Sequence, residues 1–121
     1  MARRRISHSD GVEAIRRHLQ DPDDQALITA VRYLLEELAD RVPGNTVEVR
    51  VPPYGATQCI EGPRHTRGTP PNVVEIQPQI WIDLALGKMS WQQAQAQGLI
   101  FASGVRADLS EVLPMKIKGL D

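Results

Sequence analysis

Residues 71–114, PNVVEIQPQIWIDLALGKMSWQQAQAQGLIFASGVRADLSEVLP, decide the fold of this chain. The stretch predicts four elements in order: a strand over 72–77, a helix from Gln77-Pro78 to Gly87, a helix from Ser90 to Gly98, and a strand over 99–103. Ser90 and Gln93 form a capping box that opens the second helix, and a glycine ends each helix. Because reactive side chains hardly cluster in this stretch, it is typical of a surface that holds an apolar molecule.

The side chains that this segment presents are mainly apolar: Val74, Ile76, Ile80, Trp81, Leu84, Trp91 and Phe101. The two tryptophans lie at helical contact positions, where an aromatic ring either fills a core or lines a ligand pocket. Both interpretations stay open at this point.

The N-terminal half predicts two helices after a loose basic terminus over residues 1–9. Asp10 and Glu13 give a helix-start signal of the capping-box kind for the first helix. The second helix is predicted over 22–41, with Asp21 as its N-cap and a proline in the first helical position. Its broad apolar stripe predicts packing against a flat apolar surface and comprises Leu27, Val31, Leu34, Leu35 and Leu38.

A flat surface follows in the sequence. Apolar and polar residues alternate over 46–51, which predicts a half-buried strand. Tyr54–Ile60 is predicted as a second strand, and the two prolines between the strands favour a bend or an edge position. The loop over 61–71 is long enough to be functional or flexible.

After the strand over 99–103, Gly104 permits a bulge or bend, and continuation of the strand through Val105–Ala107 is one alternative. Asp108 or Ser110 caps a last short helical turn. The order of elements separates the helices from a largely antiparallel sheet, so the sequence predicts an α+β fold in a single domain over 1–121.

Composition restricts the classes of function. The chain has 121 residues, of which 41% are hydrophobic, and a formal net charge of −1, which provides no general attraction to nucleic acid or to an anionic membrane. Its one cysteine, Cys59, indicates a reducing compartment. We find no signal peptide and no run of about 18 apolar residues that would span a membrane, and we therefore expect a cytoplasmic protein.

Catalytic and cofactor motifs are mostly missing from the sequence. The glycines do not cluster into a phosphate-binding loop, and the three histidines lie too far apart in different elements for a zinc site, so we predict no cofactor and no metal. Cys59 is best interpreted as a small buried hydrophobe. Arg64, His65 and Arg67 in the long loop resemble an anion clamp, and the alternative is a solvated basic loop tip.

Magnitudes favour a binding protein over an enzyme. An acyl chain that buries about twelve methylenes gains on the order of 10 kcal/mol before association costs. Micromolar binding needs about 8 kcal/mol net, so apolar walls with one orienting basic group come close. An enzyme must also stabilise developing charge with placed polar groups, which the sequence hardly offers. We therefore predict that the protein is not an enzyme and has no catalytic residues.

The 71–114 segment resembles the C-terminal half of a type-2 sterol carrier protein domain. The matching features are the acidic-apolar strand end, a Trp-x-x-Leu-x-x-Gly helix, a short Ser-capped helix and a Gly-Leu-Ile strand: Val74-Glu75-Ile76, Trp81–Gly87, Ser90–Gln97 and Gly98–Gly104. The first half resembles the small single-domain bacterial branch of that family. The chain departs from the family at its end, where no peroxisomal Ser-Lys-Leu signal occurs.

The resemblance implies helices that cover one face of a mostly antiparallel sheet of about five strands and enclose an apolar tunnel. The fifth strand is either the Val105–Ala107 segment or a piece of Tyr54–Ile60. By matched position, the resemblance implies these tunnel residues: Val74, Ile76, Trp81, Leu84, Trp91 and Phe101. The implied ligand is a fatty acid, an acyl-CoA or another lipid, without stable membrane insertion.

Two other functions stay open. Sterol-carrier-like domains accompany catalytic domains in mycothiol-dependent isomerases, so this chain is alternatively an accessory subunit for a separate catalytic protein. In the other alternative, the sheet and the helices fill their own interior, and the chain is an interaction module that binds no small ligand.

Overall fold

The structure, a computed structural model, describes residues 6–62 and 72–120. In this part of the chain it has four helices and four strands, in the order α1 (His8–Gln20), α2 (Asp24–Arg41), β1 (Val47–Val51), β2 (Gly55–Cys59), β3 (Val73–Ile76), α3 (Pro78–Leu86), α4 (Trp91–Ala96) and β4 (Ile100–Ser103). The prediction of an α+β fold is confirmed.

The predicted ends of α3 and α4 are confirmed because their signals are local. Gln77 precedes Pro78 at the start of α3, and Gly87 ends the helix in the left-handed conformation at φ 81°. In the capping box of α4, the Gln93 N–H donates to Ser90 Oγ, and the Ser90 N–H donates to Gln93 Oε1, at 3.0 and 2.9 Å.

The predicted starts of α1 and α2 are wrong by two or three residues. Ser7, not Asp10, caps α1, since its hydroxyl accepts from the Asp10 N–H. Asp23, not Asp21, caps α2, and its carboxylate accepts from the Ala26 N–H at 2.8 Å. That hydrogen bond, together with the neighbouring Arg17 guanidinium, lowers the pKa of Asp23 from its usual value.

The sheet is mixed, with the strand order β2-β1-β3-β4. Strands β1 and β2 are antiparallel, β1 and β3 are parallel, and β3 and β4 are antiparallel. The expectation of a mostly antiparallel sheet of about five strands therefore holds only roughly in the described residues. Val105 and Arg106 form a turn, and Tyr54 belongs to the turn before β2, so neither candidate for a fifth strand adds one there.

The two faces of the sheet differ in burial. On one face the side chains of β1 and β3 belong to the same buried core as the helices: Val47, Val49, Val51, Val74 and Ile76. The helices cover this face, as expected, and α2 lies against β2. The opposite face, the open face of the sheet, carries Arg50, Glu75 and Phe101 in one row across three strands. Arg50 pairs there with Glu48.

After β4 the chain runs without further helix or strand as far as Leu120. Residues 108–113 form the predicted short helical turn: the Leu113 N–H donates to Leu109 O at 3.0 Å, and Asp108 caps it by accepting from the Ser110 N–H at 2.7 Å. The next residues, 115–120, form an extended tail over the helices. Met115 and Ile117 of this tail are buried in the core.

Candidate functional site

Five of the six predicted tunnel residues meet in the core. The structure brings together the side chains of two strand residues, two residues of α3 and the first residue of α4: Val74, Ile76, Trp81, Leu84 and Trp91. None of them is more than 4% exposed. A side chain that bordered a void large enough for water would keep some accessible surface. These five side chains keep almost none, so the space that they share is closely packed by them and by the other residues of the core.

Trp81 is held by packing in the core and by a hydrogen bond. Its ring is fully buried, and its Nε1–H donates to the backbone oxygen of Val31 in α2 at 3.3 Å. Trp91 is buried too, but its Nε1 has no hydrogen-bond partner in the structure. Neither ring stands at the wall of an open pocket, and the role of both as ligand contacts stays a prediction.

The structure does not bring Phe101 to this cluster. The Phe101 side chain is 67% exposed and lies on the open face of the sheet, opposite Glu75 of β3. Of the other predicted tunnel residues, only Ile76 lies beside Phe101. The two residues line a groove of about 280 Å³ at the start of β4. Arg64, His65 and Arg67 lie outside the described residues, so the anion clamp also stays a prediction.

A different apolar surface lies on the helix side of the molecule, and we call it the tail groove. It has a volume of about 260 Å³ and is lined by residues of α1, α3, the turn after α3, Pro114 and the tail: Leu19, Leu86, Lys88, Pro114, Met115, Lys116, Ile117 and Leu120. Six of these side chains are apolar and two are lysines. In the described part of the chain neither lysine is in an ion pair. The groove thus offers an apolar wall and two available cationic groups.

The tail that forms the groove is held mainly through its backbone. The Met115 N–H donates to Ala85 O of α3 at 2.9 Å. From the other side, Arg41 donates to Lys116 O, His8 Nε2 to Lys118 O, and Arg16 to Gly119 O. These last three hydrogen bonds are exposed. The one from His8 is worth about 0.5–1.5 kcal/mol, and the two from guanidinium groups about 1.5–3 kcal/mol each.

His8 links the tail to the core. Because its Nε2 faces the Lys118 carbonyl at 2.9 Å, that nitrogen donates. In the neutral ring Nδ1 then accepts from the Tyr33 hydroxyl at 2.7 Å. Tyr33 itself is fully buried. Through His8, the tail is therefore connected to the buried ring of Tyr33 in α2.

Two other grooves offer no unpaired cationic side chain among their described lining residues. The groove beside Phe101 includes the Glu75 carboxylate, which repels an anionic head group. The larger of these two grooves, about 440 Å³, lies between α2 and the β2 edge. Both charged side chains of this groove are engaged with backbone atoms: Arg32 donates to Tyr54 O, and Glu36 accepts from the Ile6 N–H.

Comparison with known families assigns the chain. A family model described as a bacterial SCP ortholog, where SCP stands for sterol carrier protein, matches residues 23–115. The chain belongs to this bacterial SCP family. The match begins at the cap of α2 and ends in the first residue of the tail, so it includes the whole sheet and both tryptophans of this SCP-family protein. A search of curated proteins found no match.

Two absences can be stated for residues 6–62 and 72–120 of the SCP-family protein. No helix there is long and apolar enough to cross a membrane. Nor do three or more His, Cys, Asp or Glu side chains come together there in a way that would hold a metal ion.

Sequence reasoning missed the tail groove, although a signal for it exists. Met115-Lys116-Ile117-Lys118 alternates apolar and cationic residues, which is the pattern of an extended segment with one buried face. The pattern is four residues long, and nothing in the sequence says that its apolar face meets Leu86 of α3. Only the tertiary structure joins these elements into one surface.

Cys59 gives a prediction about reactivity. Its side chain is fully buried at the end of β2, and burial raises the pKa of the thiol to about 11. At pH 8 only about a thousandth of the thiol is then ionised, and the thiolate is the reactive form. We expect a thiol reagent such as 5,5′-dithiobis(2-nitrobenzoic acid) to leave native Cys59 unlabelled over hours and to label it within minutes in urea. Fast labelling of the native protein would contradict the buried position.

Proposed function

We propose that this SCP-family protein is a cytoplasmic, non-enzymatic carrier that binds the acyl chain of an anionic lipid, with the tail groove as its point of entry. The observation that carries the proposal is the combination of six apolar side chains with Lys88 and Lys116 in one groove. A fatty acid has the matching chemistry, an apolar chain with a carboxylate at one end. Family membership supports an apolar ligand, and the two lysines supply the charge that orients it.

The size of the groove bears on how a chain enters. At about 260 Å³ the groove lies just below the roughly 300 Å³ from which ligand pockets usually start. It accommodates only part of a long acyl chain as it stands. A longer chain has to displace Met115 and Ile117, whose side chains occupy the space between the groove and the core.

Displacing the tail has a cost of the same order as the gain from burying a lipid chain, because it exposes Met115 and Ile117 and breaks the hydrogen bonds that hold the tail. The hydrogen bond from His8 contributes about 0.5–1.5 kcal/mol and the charge-assisted bonds from Arg16 and Arg41 about 1.5–3 kcal/mol each, whereas each buried methylene gains about 0.8 kcal/mol. A chain of twelve or more methylenes therefore offsets the loss of all three hydrogen bonds. The same movement gives the ligand access to α3, the helix that carries Trp81 and Leu84.

The test is a titration with fluorescent C12–C16 fatty acids, together with native mass spectrometry of protein purified without detergent. We expect binding below about 100 μM, which corresponds to about 5.5 kcal/mol. The Lys88→Glu/Lys116→Glu double variant replaces both cationic groups by carboxylates, and we expect it to bind at least about tenfold more weakly.

The matched control is Lys118→Glu, since Lys118 is in the same tail but does not line the groove. We expect this variant to bind within about twofold of the wild type. If no lipid co-purifies and no fatty acid binds below about 100 μM, the carrier function is wrong. If the wild type binds and the double variant binds equally well, the ligand enters elsewhere.

A second candidate function is that of an accessory subunit for a catalytic protein. The near-complete burial of Trp81 and its neighbours supports it, because this burial leaves little space for a lipid in the core. Its test is a pull-down from cell extract. Two results together favour this second candidate. The wild type binds no lipid but recovers a catalytic partner, and the partner is no longer recovered when Arg64 and Arg67 are both replaced by Ala.

A further inference from the structure

Strand β4 is an edge of the sheet, and its outward backbone groups can be assigned. The Glu48 N–H of β1 donates to Asn72 O at 2.9 Å, so the even-numbered residues of β3 direct their backbone groups toward β1. The odd-numbered residues of β3 then pair with β4, in the register Glu75↔Phe101. By alternation, Ile100 and Ala102 direct their N–H and C=O groups away from the sheet.

This edge is apolar and uncharged. Residues 98–105, GLIFASGV, contain no charged side chain. Phe101 is 67% exposed and Val105 is 98% exposed. Exposed sheet edges usually carry charges, prolines or bulges that prevent pairing with another strand. Among the described residues, the edge of β4 has free outward backbone groups, no charge and the exposed Phe101 ring, so it is suited to a partner strand of the same kind.

We propose that β4 pairs with β4 of a second copy of this chain, antiparallel about a two-fold axis, to form one eight-stranded sheet. A two-fold interface uses the same surface on both copies, so it requires a self-complementary edge. When Ile100 is placed opposite Ala102 of the second copy, the outward N–H and C=O groups of both residues meet. The two Phe101 rings then lie directly opposite each other on the open face, as a cross-strand aromatic pair.

Electrostatics do not oppose a second copy as the occupant. The formal net charge of one chain is only −1, so two copies repel each other weakly. The nearest charged side chain on the open face, Glu75, is separated from its equivalent by three strand spacings, or about 14 Å. That distance exceeds the Debye length of about 8 Å at physiological salt.

The interface is small, which sets the concentration range of the test. A phenylalanine contributes about 150–250 Å², and the paired segments are only four residues long. The total lies below the roughly 1,200 Å² of a standard stable interface, so the dimer belongs to the weak, transient class. This inference does not depend on the proposed ligand site, which lies on the helix side of the sheet.

The test is sedimentation equilibrium from about 10 μM to about 1 mM, the range expected for a weak interface. We expect the mass to rise from 13.4 kDa toward twice that value. Ala102→Pro removes an outward N–H that the monomer does not use, so it should remain monomeric over the whole range. Phe101→Lys, at an exposed position, places two like charges opposite each other and should also remain monomeric.

The matched control is Ala56→Pro, the same change at an outward position of the other edge strand, β2, and we expect it to dimerise like the wild type. Circular dichroism and thermal melting confirm that each variant is folded. A constant mass of one chain at every concentration overturns the proposal. So does a dimer that survives in Phe101→Lys, a dimer lost only in Ala56→Pro, or an assembly that grows beyond two copies.

Discussion

Replacing Gly11 by alanine should destabilise the protein by up to about 2 kcal/mol, although alanine is the better helix former. Gly11 lies inside α1, where alanine by itself would gain about 1 kcal/mol. A Cβ at this position would stand 2.2 Å from Cγ and Cδ1 of Tyr33, whose ring is fully buried. The ring cannot move outward without losing its hydrogen bond to His8, and overpacking of a core typically costs about 1–3 kcal/mol.

Urea and thermal denaturation measure this effect. A loss of about 2 kcal/mol corresponds to a fall in Tm of about 8 °C for a domain of this size. The matched control is Gly55→Ala, where the nearest atom is the flexible end of Leu35 at 3.3 Å, and the change should be within about 1 kcal/mol.

A double-mutant cycle isolates the contact between α1 and the ring. In a Tyr33→Ala background the space beside Gly11 is empty, so Gly11→Ala should become neutral or stabilising. If Gly11→Ala stabilises the protein in the wild-type background, the close approach of α1 to Tyr33 is wrong.

Replacing Trp81 by alanine should destabilise the protein by about 3–5 kcal/mol, the usual cost of removing a fully buried tryptophan. The reason is that the ring fills space that nothing else fills and donates to Val31 O in the next helix. Its removal leaves a cavity between α2 and α3. The free energy of unfolding from urea titration is the measurement.

The control for Trp81 is Phe101→Ala, an aromatic side chain of the same predicted tunnel set. Because Phe101 is 67% exposed, the change should cost no more than about 0.5 kcal/mol in the monomer at low concentration. Equal costs for the two variants would contradict the placement of Trp81 in the core and Phe101 on the surface. A cost below about 1 kcal/mol for Trp81→Ala would instead favour an open tunnel around that ring.

The parts of the fold that sequence predicts well are those with local causes. The capping box of Ser90 and Gln93, and the glycine that ends α3, involve residues a few positions apart. The strand at 47–51 follows from strict alternation. Where two local signals compete, the choice is made elsewhere: Asp21 and Asp23 both precede α2, and Asp23 is the cap that also pairs with Arg17 of α1.

Local sequence signals could not predict how the strands pair or which residues form the candidate site. The parallel contact of β1 with β3 joins segments about 25 residues apart in the chain, and no local pattern encodes it. The tail groove combines Leu19 of α1, Leu86 of α3 and the tail, which are distant in sequence. The sequence indicates that the tail has an apolar face, but it does not indicate that this face meets Leu19 and Leu86.

By itself, the apolar and punctuated segment 71–114 determined the α+β class, the order of elements in that half of the chain and the resemblance to sterol carrier proteins. It could not determine which of its apolar side chains would be buried. Trp81 and Phe101 are both large aromatic residues, yet helices cover one of them, and the other lies on the open face of the sheet. The tertiary structure decided this, because burial depends on what packs against each face and not on the side chain alone.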